Sequence, residues 1–185
     1  MGGELKNCFC IGRNHLFYPS PYIGDMADIR TVEALRQSIR RMTTLLEAKP
    51  SVVACDLHPR YNTTAVAHEL GLPVVAVQHH YAHILSCMAE NDWEEPVIGI
   101  AFDGTGYGTD GTIWGGEVLV SDVHGFQRSA SIQPFWQRGG DASAREGWRI
   151  AVSLIDSLQK DRSQAASMIE ALHLCSEAER QAQFF

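Results

Sequence analysis

Val77-Gln78-His79-His80-Tyr81-Ala82-His83 carries the reading that decides the fold. Val74 to Val77 is a short apolar β-type run, and His79 to Glu90 has a helical pattern, so a strand passes directly into a helix. Outward from this point the alternation repeats. Ser51 to Cys55 reads as a strand, Thr63 to Leu70 as a helix, and Val97 to Phe102 as a further strand of the buried type. Such alternation implies parallel strands joined by right-handed crossovers. Asp110-Gly111 then marks a tight turn into Thr112 to Ser121, and Phe126 to Ile132 extends the meander, which adds antiparallel pairs. The expected class is α/β, a mixed sheet with flanking helices.

The flanking segments fit around this centre. Leu5 to Ile11 and His15 to Tyr18 predict a hairpin about Gly12 and Asn14. Val32, Leu35, Ile39, Met42, Leu45 and Leu46 recur at helical spacing between Thr31 and Ala48, with Thr31 as N-cap and Pro50 beyond the end. After Gly139-Gly140-Asp141, the apolar positions Trp148, Ile150, Ala151, Leu154, Ile155 and Leu158 predict a helix capped near Ser143. One or two more helices are expected from Asp161 to Phe185, and the uncapped ending predicts a segment cut from a larger domain.

The bulk numbers exclude several function classes. A chain of 185 residues supports one core or one lobe, and 45% hydrophobic with 20% charged residues is ordinary globular usage. The longest apolar runs are too short to cross a bilayer. A formal charge of −7 argues against a nucleic-acid surface, which needs clustered Lys and Arg. The first residues lack a secretory pattern, so a cytoplasmic location with reduced thiols is expected for Cys8, Cys10, Cys55, Cys87 and Cys175. Their simplest reading is strand-packed and buried. No serine occupies a Gly-x-Ser-x-Gly elbow, and no cysteine has the basic helix-start setting of a nucleophile.

The residues that carry chemistry cluster in the middle of the chain. His79 and His83 lie four apart on a helix and share a face. Asp103 leaves the next strand at the edge where α/β proteins place ligands, which makes three candidate metal ligands, one short of a closed site. The alternative is a pair of hydrogen-bonded core histidines. Imidazole and carboxylate donors suit iron and zinc alike. In Asp103-Gly104-Thr105-Gly106-Tyr107-Gly108-Thr109-Asp110-Gly111, Gly104, Thr105, Gly106 and Gly108 either bring backbone amides to phosphate oxygens or serve hairpin geometry alone. Gly139, Gly140 and Asp141 open a helix suited to an anion, with capping as the alternative for Asp141. His58 and Arg60 are placed to orient an acyl or phosphate group, while turn chemistry accounts for Asp56, Pro59, Asn62 and Thr63. Trp114 reads as core.

Asp56-Leu57-His58-Pro59, Val77 to His83, the run Phe102 to Glu117, and Gly139-Gly140-Asp141 with Trp148-Arg149 closely resemble the C-terminal domain of the HypF family of hydrogenase maturation carbamoyltransferases. Glu4 to Asn7 and Ile23-Gly24-Asp25 are similar to that domain's opening, and the likeness runs from about residue 3 to residue 152. The resemblance implies that residues 1–185 are the first lobe of a two-lobed actin-like ATPase fold, ending before the second lobe and related to tRNA threonylcarbamoyl-transferases. It implies acceptance of carbamoyl-adenylate, made from carbamoyl phosphate and ATP by a YrdC-like domain. The carbamoyl group then passes to the C-terminal cysteine of HypE, as a source of the cyanide ligands of nickel-iron hydrogenase. On matching positions His79, His83 and Asp103 are metal ligands, with a further Asp expected from a second lobe. The chain lacks the regions that usually precede this domain, so other HypF domains or the second lobe are expected partners. A related tRNA-directed enzyme and a noncatalytic HypE-docking module are the rival readings.

Overall fold

The computed structural model describes residues 1–143, 145–159, 161–177 and 179. It divides into two compact units, Met1–Ile132 and Gln133–Phe185.

The first unit opens with β1 (Cys10–Arg13) and β2 (Leu16–Pro19), an antiparallel hairpin turned at Asn14, whose φ of 56° suits a short polar side chain. Alternation sends Ile11 of β1 inward and Cys10 outward. The expectation of buried cysteines is therefore corrected: Cys8, Cys10 and Cys87 are exposed, and Cys55 alone of the five is fully buried. Helix α1 (Ile29–Leu45) begins two residues before the expected Thr31, because the Asp28 carboxylate accepts the Arg30 amide and is the actual cap. Its stripe of Val32, Leu35 and Ile39 packs with Phe9, Ile11, Met26 and Val66 into one apolar cluster.

The centre of the unit follows the expected order. β3 (Val53–Asp56), α2 (Asn62–Glu69), β4 (Val74–Val77) and α3 (His79–Glu90) form a strand–helix–strand–helix run, and β3 pairs β4 in parallel with Asp56 opposite Val77. β5 (Val97–Ala101), β8 (Glu117–Ser121) and β9 (Phe126–Ser131) form an antiparallel sheet in the order β5-β8-β9. The segment expected as one strand from Thr112 is split. β6 (Gly106–Tyr107) pairs with β7 (Ile113–Trp114), and Gly115-Gly116 separates β7 from β8. A Cβ on Gly115 would meet the Gly104 carbonyl oxygen at 2.7 Å, and Gly116 has a φ of 67°, so only glycine makes this break.

Helix α3 lies on that sheet through Tyr81, Ile84 and Met88, which pack with Ala101, Trp114 and Leu119. Gly99 sets how closely. A Cβ there would run into three side-chain carbons of Ile84, including Cγ1 at 2.5 Å and Cγ2 at 2.9 Å. Because both branches, Cγ1 and Cγ2, clash, each staggered χ1 of Ile84 leaves a carbon against the new methyl group. Gly99→Ala is expected to destabilise the protein by roughly 1–3 kcal/mol, with much of the loss recovered in Gly99→Ala/Ile84→Ala. Urea unfolding of the single and double variants checks this.

In the second unit, Gly140–Ala142 is a single 3-10 turn and α4 (Gly147–Leu158) starts only after it. This corrects the expectation of a helix opening at Gly139-Gly140-Asp141 and capped by Ser143. Instead the Ser143 hydroxyl turns back onto the Gly140 carbonyl and accepts from Gln137 Nε2 at 2.8 Å. Asp161 caps α5 (Arg162–Ala171) by accepting the Ser163 amide. Val152, Ala165 and Ile169 are buried in this unit. Further helix expected over residues 180–185 lies outside the described residues. Among the described residues, no helix is long and apolar enough to cross a membrane.

Candidate metal centre

The register of the parallel pair builds the site. Asp56 is the last residue of β3 and lies opposite Val77, the last residue of β4. Gln78 then caps α3, its Oε1 accepting the Tyr81 amide at 3.0 Å, so His79 becomes the first helical residue, two positions past the strand. The cap is itself held, because Gln78 Nε2 donates to the Tyr107 carbonyl at 3.3 Å and lies 3.1 Å from His80 Nδ1. His79 therefore emerges at the carboxyl edge of the parallel strands, where open α/β sheets hold ligands.

Three side chains converge there. His79 Nε2 lies 2.7 Å from Asp103 Oδ2, and His83 Nε2, one turn along α3, lies 3.3 Å from His79 Nε2 and 3.4 Å from Asp103 Oδ2. Donor atoms about 2.0–2.1 Å from a four-coordinate ion are about 3.3 Å apart, so two of the three edges already have the spacing of a metal site. Both His79 ring nitrogens face carboxylate oxygens, at 2.6 Å and 2.7 Å; a neutral ring has one N–H and can satisfy one of them, so the second contact is satisfied by a further proton or by a metal ion. Side-chain exposure rises from 5% at Asp56 through 21% at His79 and 41% at Asp103 to 57% at His83, so the cluster opens toward solvent on its His83 side.

Asp56 is the residue that sequence reasoning missed. Its Oδ2 lies 2.6 Å from His79 Nδ1, and its Oδ1 accepts the His58 amide at 2.8 Å. The assignment of Asp56 to turn chemistry accounts for Oδ1 only. A signal was present, since a carboxylate ending one strand and a histidine following the end of its parallel neighbour become adjacent once the register is known.

These hydrogen bonds shift the ionisation of all three groups. Hydrogen bonding to Asp56 raises the His79 pKa above its ordinary value, against the opposing effect of burial and with further help from Asp103. Burial pushes Asp103 and Asp56 upward, but the Gly104 amide and His79 in the first case, and His79 and the His58 amide in the second, bring both net below the usual carboxylate value. Stabilisation from His79 is complete below the unfolded histidine pKa, about 6.5, and is lost as pH rises through its raised folded value. Stabilisation from Asp56 and Asp103 is present above about pH 4 and is lost as pH falls through their lowered values. Chelator-treated protein should therefore have its highest melting temperature between about pH 4 and 6.5. Zinc affinity should instead rise from pH 6 to 8, since a metal must displace the Nε2 proton of His79. Melting scans and zinc titrations across this range check both slopes.

The glycine run gives the cluster its shape. A Cβ on Gly106 would meet His80 Cε1 at 2.7 Å and His79 Cβ at 2.8 Å, so this glycine lets the loop press onto the start of α3. A Cβ on Gly108 would strike the Trp114 indole. The amides of Gly104 and Gly108 are committed to the Asp103 carboxylate at 2.7 Å and the Thr112 carbonyl at 2.8 Å. Of the four glycines in the run only Gly111 has positive φ, at 76°. Gly104 and Thr105 form its exposed rim, with open space where a Gly104 side chain would lie.

The remaining candidates are placed as follows. His58 stacks on Tyr61 at 3.9 Å and meets Tyr107 edge-on at 5.2 Å, beside Asp56. Arg60 is exposed, and its amide lies 3.3 Å from His58 Nδ1. Trp114 is core, as expected, at 4% exposure. Gly139 and Gly140, with φ of 94° and 53°, belong to the second unit, and the backbone of Asp141 lies in the 3-10 turn. The side chain of Asp141 lies outside what is described.

Comparison with known proteins identifies the family of the chain. The HypF Kae1-like domain model matches residues 1–90, and that for the second subdomain of the carbamoyltransferase Kae1-like domain matches residues 99–184. Carbamoyltransferase HypF of Rhizobium leguminosarum bv. viciae is 40% identical over 156 residues, 84% of this chain and 21% of that protein. A carbamoyltransferase HypF homolog of Cupriavidus necator is 42% identical over 163 residues, 86% of this chain and 41% of that protein. Full-length HypF in its phosphate- and nucleotide-bound form superposes with a TM-score of 0.79 at 38% identity, over 91% of this chain and 24% of that one. T. kodakarensis HypF gives a TM-score of 0.78 at 40% identity, over 85% of this chain and 21% of that one. The chain thus spans about a fifth of the length of most of these relatives. With both halves of the chain matched and identity near 40% over more than four fifths of its length, this chain belongs to the HypF carbamoyltransferase family.

Proposed function

We propose that this chain is a lobe of a HypF-type carbamoyltransferase domain that acts in hydrogenase maturation. It passes a carbamoyl group from carbamoyl-adenylate to the C-terminal cysteine of HypE, toward the cyanide ligands of nickel-iron hydrogenase. The observation that carries this reading is the meeting of His79, His83 and Asp103, with ligand atoms all within 4.8 Å of one another, against the exposed rim of a glycine loop. A nucleotide-bound HypF among the structural neighbours supports adenylate as the ligand.

His79, His83 and Asp103 would hold a divalent ion, iron or zinc. When bound, such an ion supplies positive charge to a carbonyl or phosphate oxygen. The open rim at Gly104 and Thr105 admits the acyl phosphate, and Arg60 and His58 orient it. Gly106 and Gly108 act by holding the loop against His79. Gly139, Gly140 and Asp141 are assigned nucleotide contact on their motif alone. In the transfer, the HypE sulfur forms a C–S bond with the carbamoyl carbon and the bond from that carbon to the adenylate phosphate oxygen breaks. AMP leaves with the electron pair, and the thiol proton passes to solvent. The other HypF domains supply the carbamoyl-adenylate.

The test is transfer of radiolabelled carbamoyl from supplied carbamoyl-adenylate to HypE, with the chain joined to the remaining segments of a HypF relative. Label on the HypE thiol that is lost in His79→Ala/His83→Ala supports the proposal. Absence of transfer with the unaltered chain eliminates it and leaves a docking role.

A further inference from the structure

We infer that Asp56 is a positioning residue that selects the tautomer of His79 and so keeps its Nε2 lone pair free for a metal ion; this rests on the metal reading above. The Asp56 side chain is 5% exposed and its two oxygens have different, fixed tasks. Oδ1 accepts the backbone amide of His58 at 2.8 Å, and Oδ2 lies 2.6 Å from His79 Nδ1. The main chain cannot drift away from this arrangement. The Leu57 amide donates to the Val77 carbonyl at 2.9 Å, and the Thr64 hydroxyl donates to the His58 carbonyl at 3.0 Å.

A carboxylate is an acceptor only, so Asp56 and Asp103 each draw a hydrogen onto the His79 nitrogen they face, and the single hydrogen of the neutral ring goes to Nδ1 because Asp56, at 2.6 Å and 5% exposed, has less water to satisfy it than Asp103, at 2.7 Å and 41% exposed. In a neutral imidazole the hydrogen on Nδ1 leaves Nε2 bare, and Nε2 is the nitrogen that faces Asp103 and His83. Orientation of a ligating histidine by an outer carboxylate typically governs metal affinity by 10–100-fold.

The two fixed tasks make an isosteric change informative. In Asp56→Asn the side-chain carbonyl must stay on the His58 amide, because the NH2 group there would set donor against donor. The NH2 group then faces His79 Nδ1 and donates to it, which moves the ring hydrogen to Nε2 and blocks the ligand position. The same logic holds for the trypsin triad, where replacing the aspartate by asparagine imposes the wrong tautomer.

The experiment reads both consequences on the full chain. Long-range 15N NMR of metal-free protein, at a pH where His79 is neutral, should show hydrogen on Nδ1 in the wild type and on Nε2 in Asp56→Asn. Zinc titration against a fluorescent chelator should show affinity reduced at least 10-fold in Asp56→Asn, with circular dichroism showing that the metal-free variant keeps its fold. A wild-type His79 with its hydrogen on Nε2 overturns the inference without recourse to any variant. So does an Asp56→Asn protein that keeps the Nδ1–H form and binds zinc as the wild type does. If His79→Ala retains zinc at wild-type affinity, the metal reading fails instead, and the tautomer measurement still decides the role of Asp56.

Discussion

His79→Ala is expected to abolish stoichiometric zinc or iron binding, lowering affinity by more than about 100-fold, because it removes the only ligand whose ring is held from both sides. His79 touches Asp56 at 2.6 Å and Asp103 at 2.7 Å, so its loss also separates the buried carboxylate from the open one. Without the imidazole, Asp56 keeps only the His58 amide for a side chain that is 5% exposed. Leaving a buried group short of its partner costs about 1–3 kcal/mol, so the metal-free variant should also melt earlier than the wild type. His83→Ala is the informative contrast. That ring is 57% exposed and lies 3.4 Å from Asp103 Oδ2, a candidate ligand at the solvent side of the cluster. Its removal should weaken the metal while leaving metal-free stability within about 0.5 kcal/mol. Elemental analysis with urea unfolding of both variants separates the ligand role from the structural one.

Arg128→Met should have the largest effect on stability, on the order of 3 kcal/mol, by stranding a carboxylate inside the sheet. Glu117 of β8 is fully buried, and Arg128 of β9 reaches it with Nε at 2.6 Å and Nη2 at 2.8 Å. The guanidinium also lies 4.1 Å above the Trp114 ring, so methionine keeps much of the packing and removes the charge. After the substitution Glu117 retains only the Gly115 amide, at 3.1 Å. The double variant Glu117→Leu/Arg128→Met should recover most of the loss, since removing both charges removes the desolvation cost as well. Equal stability of the single and double variants in urea would contradict this account. The pair matters for function because β8 begins at the Gly115-Gly116 break that closes against Gly104 and Asp103.

Much of the fold was legible because its elements are short and strongly patterned. β4 and α3 fall at the expected residues, since the valine-rich run stops at a glutamine able to cap. The start of α1 was misread because Thr31 and Asp28 are both capping types, and only the backbone shows which carboxylate or hydroxyl reaches an amide. The break between β7 and β8 was missed for a different reason. Its glycines are required by the approach of Gly104, a residue distant in sequence, and no local pattern reports that contact. Exposure of Cys10 follows from the parity of β1, which turns the neighbouring Ile11 inward.

The candidate site divides along the same line. The sequence alone determined that His79 and His83 share a helix face, because a spacing of four on a helix is a local geometric fact. It also placed Asp103 at a strand end beside a glycine turn. Only the tertiary structure decided that Asp56 stands behind His79, that Gly106 is bare so that the loop can rest on the start of α3, and that Gly139 and Gly140 belong to a separate unit. Those contacts depend on strand register and on the packing of segments 20 or more residues apart, as Asp56 and His79 are by 23. Local periodicity fixes which way a side chain points along its own element, whereas the partner it meets is set by the elements that pack against it.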